Sequence, residues 1–188
     1  MKTTVIGVSG ASASGKSTLS EQLCAALREK GVRVEYLPAD RFYKKELPRM
    51  ISPLDGKEYP DWNHPTSIDG EAAAAELRRC IDENPDYIII DGAFIFCIEQ
   101  IRNLCDYKIF VTASIETRIY RRIKRNVILK GQTIEQIGEY YLAAVRYRER
   151  EYSLPSVKFA DSVVDNENGF HGAVEREAAV LLKMRNIG

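Results

Sequence analysis

The sequence of 188 residues predicts an α/β fold, a mainly parallel five-stranded sheet with helices on both faces. Strand-like and helix-like patterns alternate along the chain, which is the order that builds a parallel sheet. A glycine-rich turn joins the first strand to the first helix, and a continuously apolar strand lies in mid-chain.

Thr3–Ser9 is a β-branched run ending at glycine, and Lys16–Lys30 follows with helical composition and Gly31 as its stop. Val32–Pro38 reads as the second strand. Residues 40–68 then carry Pro48, Pro53, Pro60 and Pro65 and hold no sustained period. Structureless loops longer than about 12–15 residues are uncommon, and are usually functional or disordered. Phe42, Tyr43, Tyr59 and Trp62 are too many aromatics for disorder, so the stretch is expected to be an acceptor-binding excursion. Asp69–Glu83 predicts a helix capped by Asp69. Tyr87–Ile90 is apolar at every position, as a strand covered on both faces should be. A short helix around Ile98–Leu104 leads to a strand at Tyr107–Ala113. Ile115–Lys130 and Ile134–Arg150 read as charged helices separated by Gly131, with a lid over about 115–132. Asp161–Asp165 is a last short strand and His171–Arg185 a closing helix. Residues 1–188 are expected to form one domain.

Composition narrows the function. Lys plus Arg and Asp plus Glu number 27 each, so the formal net charge is zero and no global field draws the chain to nucleic acid or to an anionic membrane. Anion binding must come from a local cluster. Cys24, Cys80, Cys97 and Cys105 show no C-x-x-C spacing and have only His64 and His171 to join them, which argues for reduced thiols rather than zinc. The longest apolar stretch, Tyr87 to Ile98, contains Asp91 and falls short of the about 20 residues that span a bilayer. With no signal-peptide pattern at the N-terminus, the expectation is a soluble, cytoplasmic protein.

Gly10-Ala11-Ser12-Ala13-Ser14-Gly15-Lys16-Ser17, followed by Thr18, satisfies G-x-x-x-x-G-K-[ST] between a strand and a helix. The glycines let successive backbone N–H groups point inward around phosphates, and the helix N-terminus adds its dipole. Lys16 would reach the β and γ oxygens and the Ser17 hydroxyl would ligate Mg²⁺, so ATP and Mg²⁺ are the expected cofactors. The fold is accordingly expected to be the three-layer P-loop NTPase fold with a helical lid.

No Asn-Lys pair is present to start the N-K-x-D of a GTPase, and LSGGQ is absent. Asp40-Arg41-Phe42-Tyr43 instead follows the second strand, whose C-terminal end opens onto the ligand crevice of such a sheet. There Asp40 can take a proton from an attacking hydroxyl or hold Mg²⁺. Asp91 ends the apolar strand at the same edge and suits magnesium. Arg118, Arg122 and Arg125 recur at i, i+4 and i+7, on one face of the lid helix, where a phosphate chain would relieve their mutual repulsion.

Together these residues resemble the uridine kinase family, with phosphoribulokinase and nicotinamide riboside kinase as relatives. Gly10–Ser17 resembles its P-loop, and Asp40-Arg41-Phe42-Tyr43 its D-x-F-Y, whose aspartate is the base. Trp62-Asn63-His64-Pro65 with Asp69 resembles F-D-H-P and the aspartate after it. Asp91-Gly92 stands at its Glu-Gly, Thr117-Arg118 through Arg125 at its lid helix, and Leu154-Pro155 through Asp165 at its L-P-x-x-K-Y-A-D segment. Three departures bear on the substrate. Asn63 replaces the family's ribose-binding aspartate. Only Asn84-Pro85-Asp86 stands where uridine kinases carry a hairpin that contacts the pyrimidine. Lys130 and Gln132 replace later lid arginines.

The resemblance implies an ATP-dependent, uridine kinase-like nucleoside kinase acting on a ribose 5′-hydroxyl. Asp40 would be the base, Lys16, Arg122 and Arg125 the catalytic clamp, and Arg118 a further phosphate contact. Ser17, Asp40 and Asp91 would form the magnesium shell. Tyr43, Trp62 and Asn63, with Asp40, would bind the acceptor, a small nucleoside or related molecule. No nucleic acid polymer or membrane partner is expected, and a homo-oligomer is left open. The alternatives are a kinase for nicotinamide riboside or a sugar phosphate, and a non-catalytic P-loop nucleotide switch.

Overall fold

In the computed structural model, which describes residues 2–186, β1 (Thr4–Ser9) is the central strand of a five-stranded sheet and is buried along its whole length. The sheet order is β2-β5-β1-β6-β7, with β2 at Val34–Pro38, β5 at Tyr87–Asp91, β6 at Tyr107–Thr112 and β7 at Ser162–Asp165. Every pairing in it is parallel. Alternate residues of each strand face opposite layers. Val5, Ile88, Ile90 and Phe110 pack on α2 (Gly70–Asp82) and α3 (Glu99–Arg102) through Ala73, Leu77 and Ile101. Ile6, Val8, Ile89, Ile109 and Val111 pack on α1 (Lys16–Glu29) and α7 (Ala173–Met184) through Leu19, Leu23, Leu27 and Leu181. The all-apolar β5 is therefore explained by burial on both faces. The four cysteines are free, and burial pushes the Cys24 thiol up to about 11.

The α/β expectation and the five parallel strands hold, with element ends shifted by one or two residues. Asp69 caps α2 by accepting from the Ala72 N–H at 3.0 Å. The region read as irregular contains a small antiparallel hairpin, β3 (Arg49–Ile51) with β4 (Glu58–Pro60). Three-residue strands flanked by proline carry too little alternation to be read from sequence. The second charged helix also differs. Downstream of the lid helix α4 (Ile115–Lys130), α5 (Ile134–Tyr140) passes into a π turn at Tyr141–Val145, a short α6 (Arg146–Arg148) and a second π turn at Glu149–Ser153. Among the described residues no helix is long and apolar enough to cross a membrane.

Candidate active site

The parallel order brings the chemistry to one edge. β1 ends at the phosphate loop, its neighbour β5 ends at Asp91, and β2, paired Pro38 to Asp91, runs into the turn Ala39–Phe42 that carries Asp40. Gly10 and Gly15 make the loop feasible. Gly15 has φ +101°, where L side chains are strained, and a Cβ there would strike the Asn166 amide. A Cβ on Gly10 would strike the Val111 carbonyl. The buried Asn166 side chain donates to the Ser14 carbonyl at 2.7 Å and pins the loop to the strand after the lid. Helix α1 starts at Lys16 with no side-chain cap and no acid in its first turn, so its N-terminal N–H groups remain free for an anion. The buried Ser14 Oγ has no hydrogen-bond partner.

Asp91 is 3 % exposed and accepts from Ser17 Oγ at 2.5 Å and from the Tyr36 hydroxyl at 3.1 Å. Burial pushes its carboxyl above the usual range, and the Ser17 bond and the Lys16 charge pull it partly back. A cation at Ser17 would offset that desolvation. Among the described residues no three His, Cys, Asp or Glu side chains form a metal cage. Magnesium commonly takes one or two carboxylates with substrate phosphates and water. The pair of Ser17 and Asp91 fits that pattern.

A cleft of about 730 Å³ opens beside the loop and is lined by Ser12, Lys16, Asp40, Tyr43, Trp62 and Asn63. Arg122, Arg125, Lys130, Gln132, Gln136 and Tyr140 also line it. Tyr43 and Trp62 meet edge to face at 5.4 Å between ring centroids, and Trp62 remains 46 % exposed to the cleft and solvent. Burial first, and then the Asp40 charge, push the Tyr43 hydroxyl well above its ordinary pKa. Arg122 is pulled below its ordinary value by burial, and its Nε lacks a partner. A cation held in this way favours an incoming anion.

Arg118 departs from the stripe it shares with Arg122 and Arg125. It is 4 % exposed, and its Nη1 donates to both Glu149 carboxylate oxygens at 2.8 Å, with the Ser12 carbonyl at 3.5 Å. Arg122 and Arg125 line the cleft, whereas Arg118, in the first turn of α4, is turned to Glu149 and the Ser12 carbonyl. Thr18 is exposed and lies outside the cleft, in a shallower depression with Gly15, Arg121, Phe170 and His171. Removing one partner of a buried pair leaves an uncompensated charge, which costs about 3–5 kcal/mol. Glu149→Ala should therefore lower the melting temperature by about 6–20 °C in a domain of this size. Thermal unfolding should find the Arg118→Met/Glu149→Met double variant much closer to wild type.

Sequence reading missed Tyr140, Tyr36, Asn166 and Glu149. The hydroxyl of Tyr140 donates to the Pro60 carbonyl at 2.8 Å and accepts from Asn63 Nδ2 at 3.3 Å. A capping box of Thr133 and Gln136 at the start of α5 signals the helix that carries Tyr140, but no local pattern signals where that side chain docks.

The family model "Phosphoribulokinase / Uridine kinase family" matches residues 58–168, more than half of the chain. A protein of Leuconostoc citreum described as uridine kinase is 28 % identical over 87 % of this chain and 88 % of its own. Uridine-cytidine kinase 2-B of Danio rerio is 27 % identical over 85 % of this chain and 72 % of its own. The solved structure of TT1252 from Thermus thermophilus has the same fold, with a TM-score of 0.59 at 19 % identity and 98 % coverage of both chains. The loop, the acid-bearing strand ends and the arginine-lined cleft thus sit in a sequence that matches one family along most of its length, and the chain belongs to the phosphoribulokinase / uridine kinase family, a phosphotransferase with a hydroxyl group as acceptor.

Proposed function

We propose that the protein transfers the γ-phosphoryl group of ATP to the 5′-hydroxyl of a riboside. The observation that carries this reading is the convergence of Lys16, Asp40, Arg122 and Arg125 with Tyr43, Trp62 and Asn63 on one cleft. The phosphates lie in the loop Gly10–Ser17, with Ala11, Ser12, Ala13 and Ser14 offering the cradle between the two glycines. The nucleotide base extends into the depression beside Thr18 and Arg121.

Asp40 accepts the proton of the attacking hydroxyl as the new O–P bond forms and the bond between the γ-phosphorus and the β-γ bridging oxygen breaks. Lys16, Arg122 and Arg125 neutralise the charge that spreads over the phosphoryl oxygens. Ser17 and Asp91, with Asp40, would hold Mg²⁺, which when bound neutralises the β- and γ-oxygens. Asn63 and Asp40 orient the sugar while Trp62 and Tyr43 flank the ring it carries.

The acceptor range follows from the cleft wall. The segment between α2 and β5 spans only Glu83–Asp86, with no room for a pyrimidine-reading hairpin. Trp62, Tyr43 and Tyr140 supply stacking, which tolerates changes of ring. Apolar walls discriminate by about 10–200-fold, whereas hydrogen-bonding sites reach about 10⁴ or more. Uridine, cytidine, adenosine and nicotinamide riboside are therefore expected to fall within about 200-fold of one another in kcat/KM. A thousandfold preference for uridine would show a dedicated base reader and overturn the stacking account, and no turnover of any riboside would overturn the assignment.

A further inference from the structure

We infer that Arg148 is a positioning residue for the acceptor and acts through Asp61 on Trp62 and Asn63; this rests on the acceptor assignment above. Asp61 immediately precedes that pair and is fully buried. Its Oδ2 accepts from Arg148 Nε at 2.7 Å, and its Oδ1 accepts from the backbone N–H of Asn63 at 3.2 Å. The second bond closes a local turn that sets the direction in which Trp62 and Asn63 leave the chain. The first anchors that turn to a helix 87 residues further along. The far end of the guanidinium is also held, with Nη1 donating to Glu151 at 2.6 Å.

The neighbouring residue shows what this helix organises. Glu149 grips Arg118, which approaches the Ser12 carbonyl of the phosphate loop. Arg148 ends α6 and Glu149 opens the second π turn, and the two neighbours reach different partners, so one residue braces the acceptor wall and the next braces the donor loop. Tyr140, on the same helical stretch, adds an uncharged brace to Pro60, Trp62 and Asn63. That brace should preserve the fold when the ion pair is removed, while the aim of the acceptor wall is lost.

Replacing both partners of a buried pair by uncharged groups is often neutral for stability. If the pair served stability alone, an Asp61→Asn/Arg148→Met variant would leave the acceptor unaffected. The asparagine can still accept from Asn63, so the turn is kept while the anchor to the helix is removed, together with the exposed Arg148–Glu151 pair within that helix. Trp62 is the only tryptophan, and its fluorescence reports the wall with no acceptor present.

In the double variant the melting temperature and the Kd for Mg·ATP should stay close to wild type. Trp62 emission should shift to the red and its quenching by acrylamide should increase. KM for uridine should rise by about 10-fold or more with a smaller change in kcat. Arg148→Lys, which keeps the charge, should restore part of both signals. Wild-type quenching and wild-type KM in the folded double variant would overturn the inference, as would a loss confined to Mg·ATP binding. Should the double variant fail to fold, Arg148→Lys decides: an altered Trp62 signal at unchanged melting temperature supports positioning, and an unaltered one overturns it. If wild type does not turn over uridine, the riboside reading fails, and the Trp62 signal alone judges Arg148.

Discussion

Lys16→Ala is expected to lower kcat by about 10²–10³-fold, the scale for removing one preorganised charge from a developing anion. Lys16 is the first residue of α1, at the uncapped helix end, and lines the cleft shared with Asp40, Arg122 and Arg125. Among the described residues it forms no ion pair, so the folded chain gains little from it. Steady-state kinetics should show the fall in kcat together with weaker ATP binding, while the melting temperature stays near that of wild type. The other cleft cations, Arg122, Arg125 and Lys130, are carried by α4 and not by the phosphate loop. A variant with near-normal kcat would remove the loop from the reaction and leave it a nucleotide anchor.

Asp40→Asn should cut kcat by about 10²–10⁴-fold, the usual contribution of a general base, and leave ATP affinity nearly intact. Asp40 is exposed in the turn after β2, and among the described residues its carboxylate forms no ion pair. The substitution keeps size and polarity and removes the negative charge and, with it, the capacity to take a proton. Titration of Mg·ATP binding separates the two roles open to this residue. Retained affinity with lost turnover identifies the base, whereas a collapse in affinity for Mg·ATP identifies a metal-holding carboxylate. Asp91, already bonded to Ser17 and Tyr36, would then be the only remaining acid of the proposed magnesium shell.

Legibility in the sequence followed the range of the interaction. The phosphate loop, the strands at Thr4–Ser9 and Tyr87–Asp91 and the cap at Asp69 depend on neighbouring residues, and local patterns revealed them. Asp40 was legible because a parallel strand delivers its C-terminal end to the ligand edge whatever the rest of the chain does. The hairpin at residues 49–60 was not, since its strands are three residues long. The two π turns also escaped, because the helical pattern around them continues without a break.

By itself, then, the amino-acid order determined the layer architecture, the glycine-rich loop after β1 and the two acids at its edge. Burial of charge was decided only by tertiary docking. Arg118 and Arg122 are alike in residue type and share a helix face, yet one is sealed against Glu149 while the other keeps an unpaired Nε at the cleft. Asp61 is a loop acid in sequence and a fully buried anchor in the fold, because Arg148 reaches it across 87 residues. Asn166 secures the phosphate loop from 152 residues away. A sequence pattern fixes which face of an element a side chain occupies, but its depth and its partner depend on how that element packs against distant ones. The desolvation cost of a charge is settled by that depth and that partner.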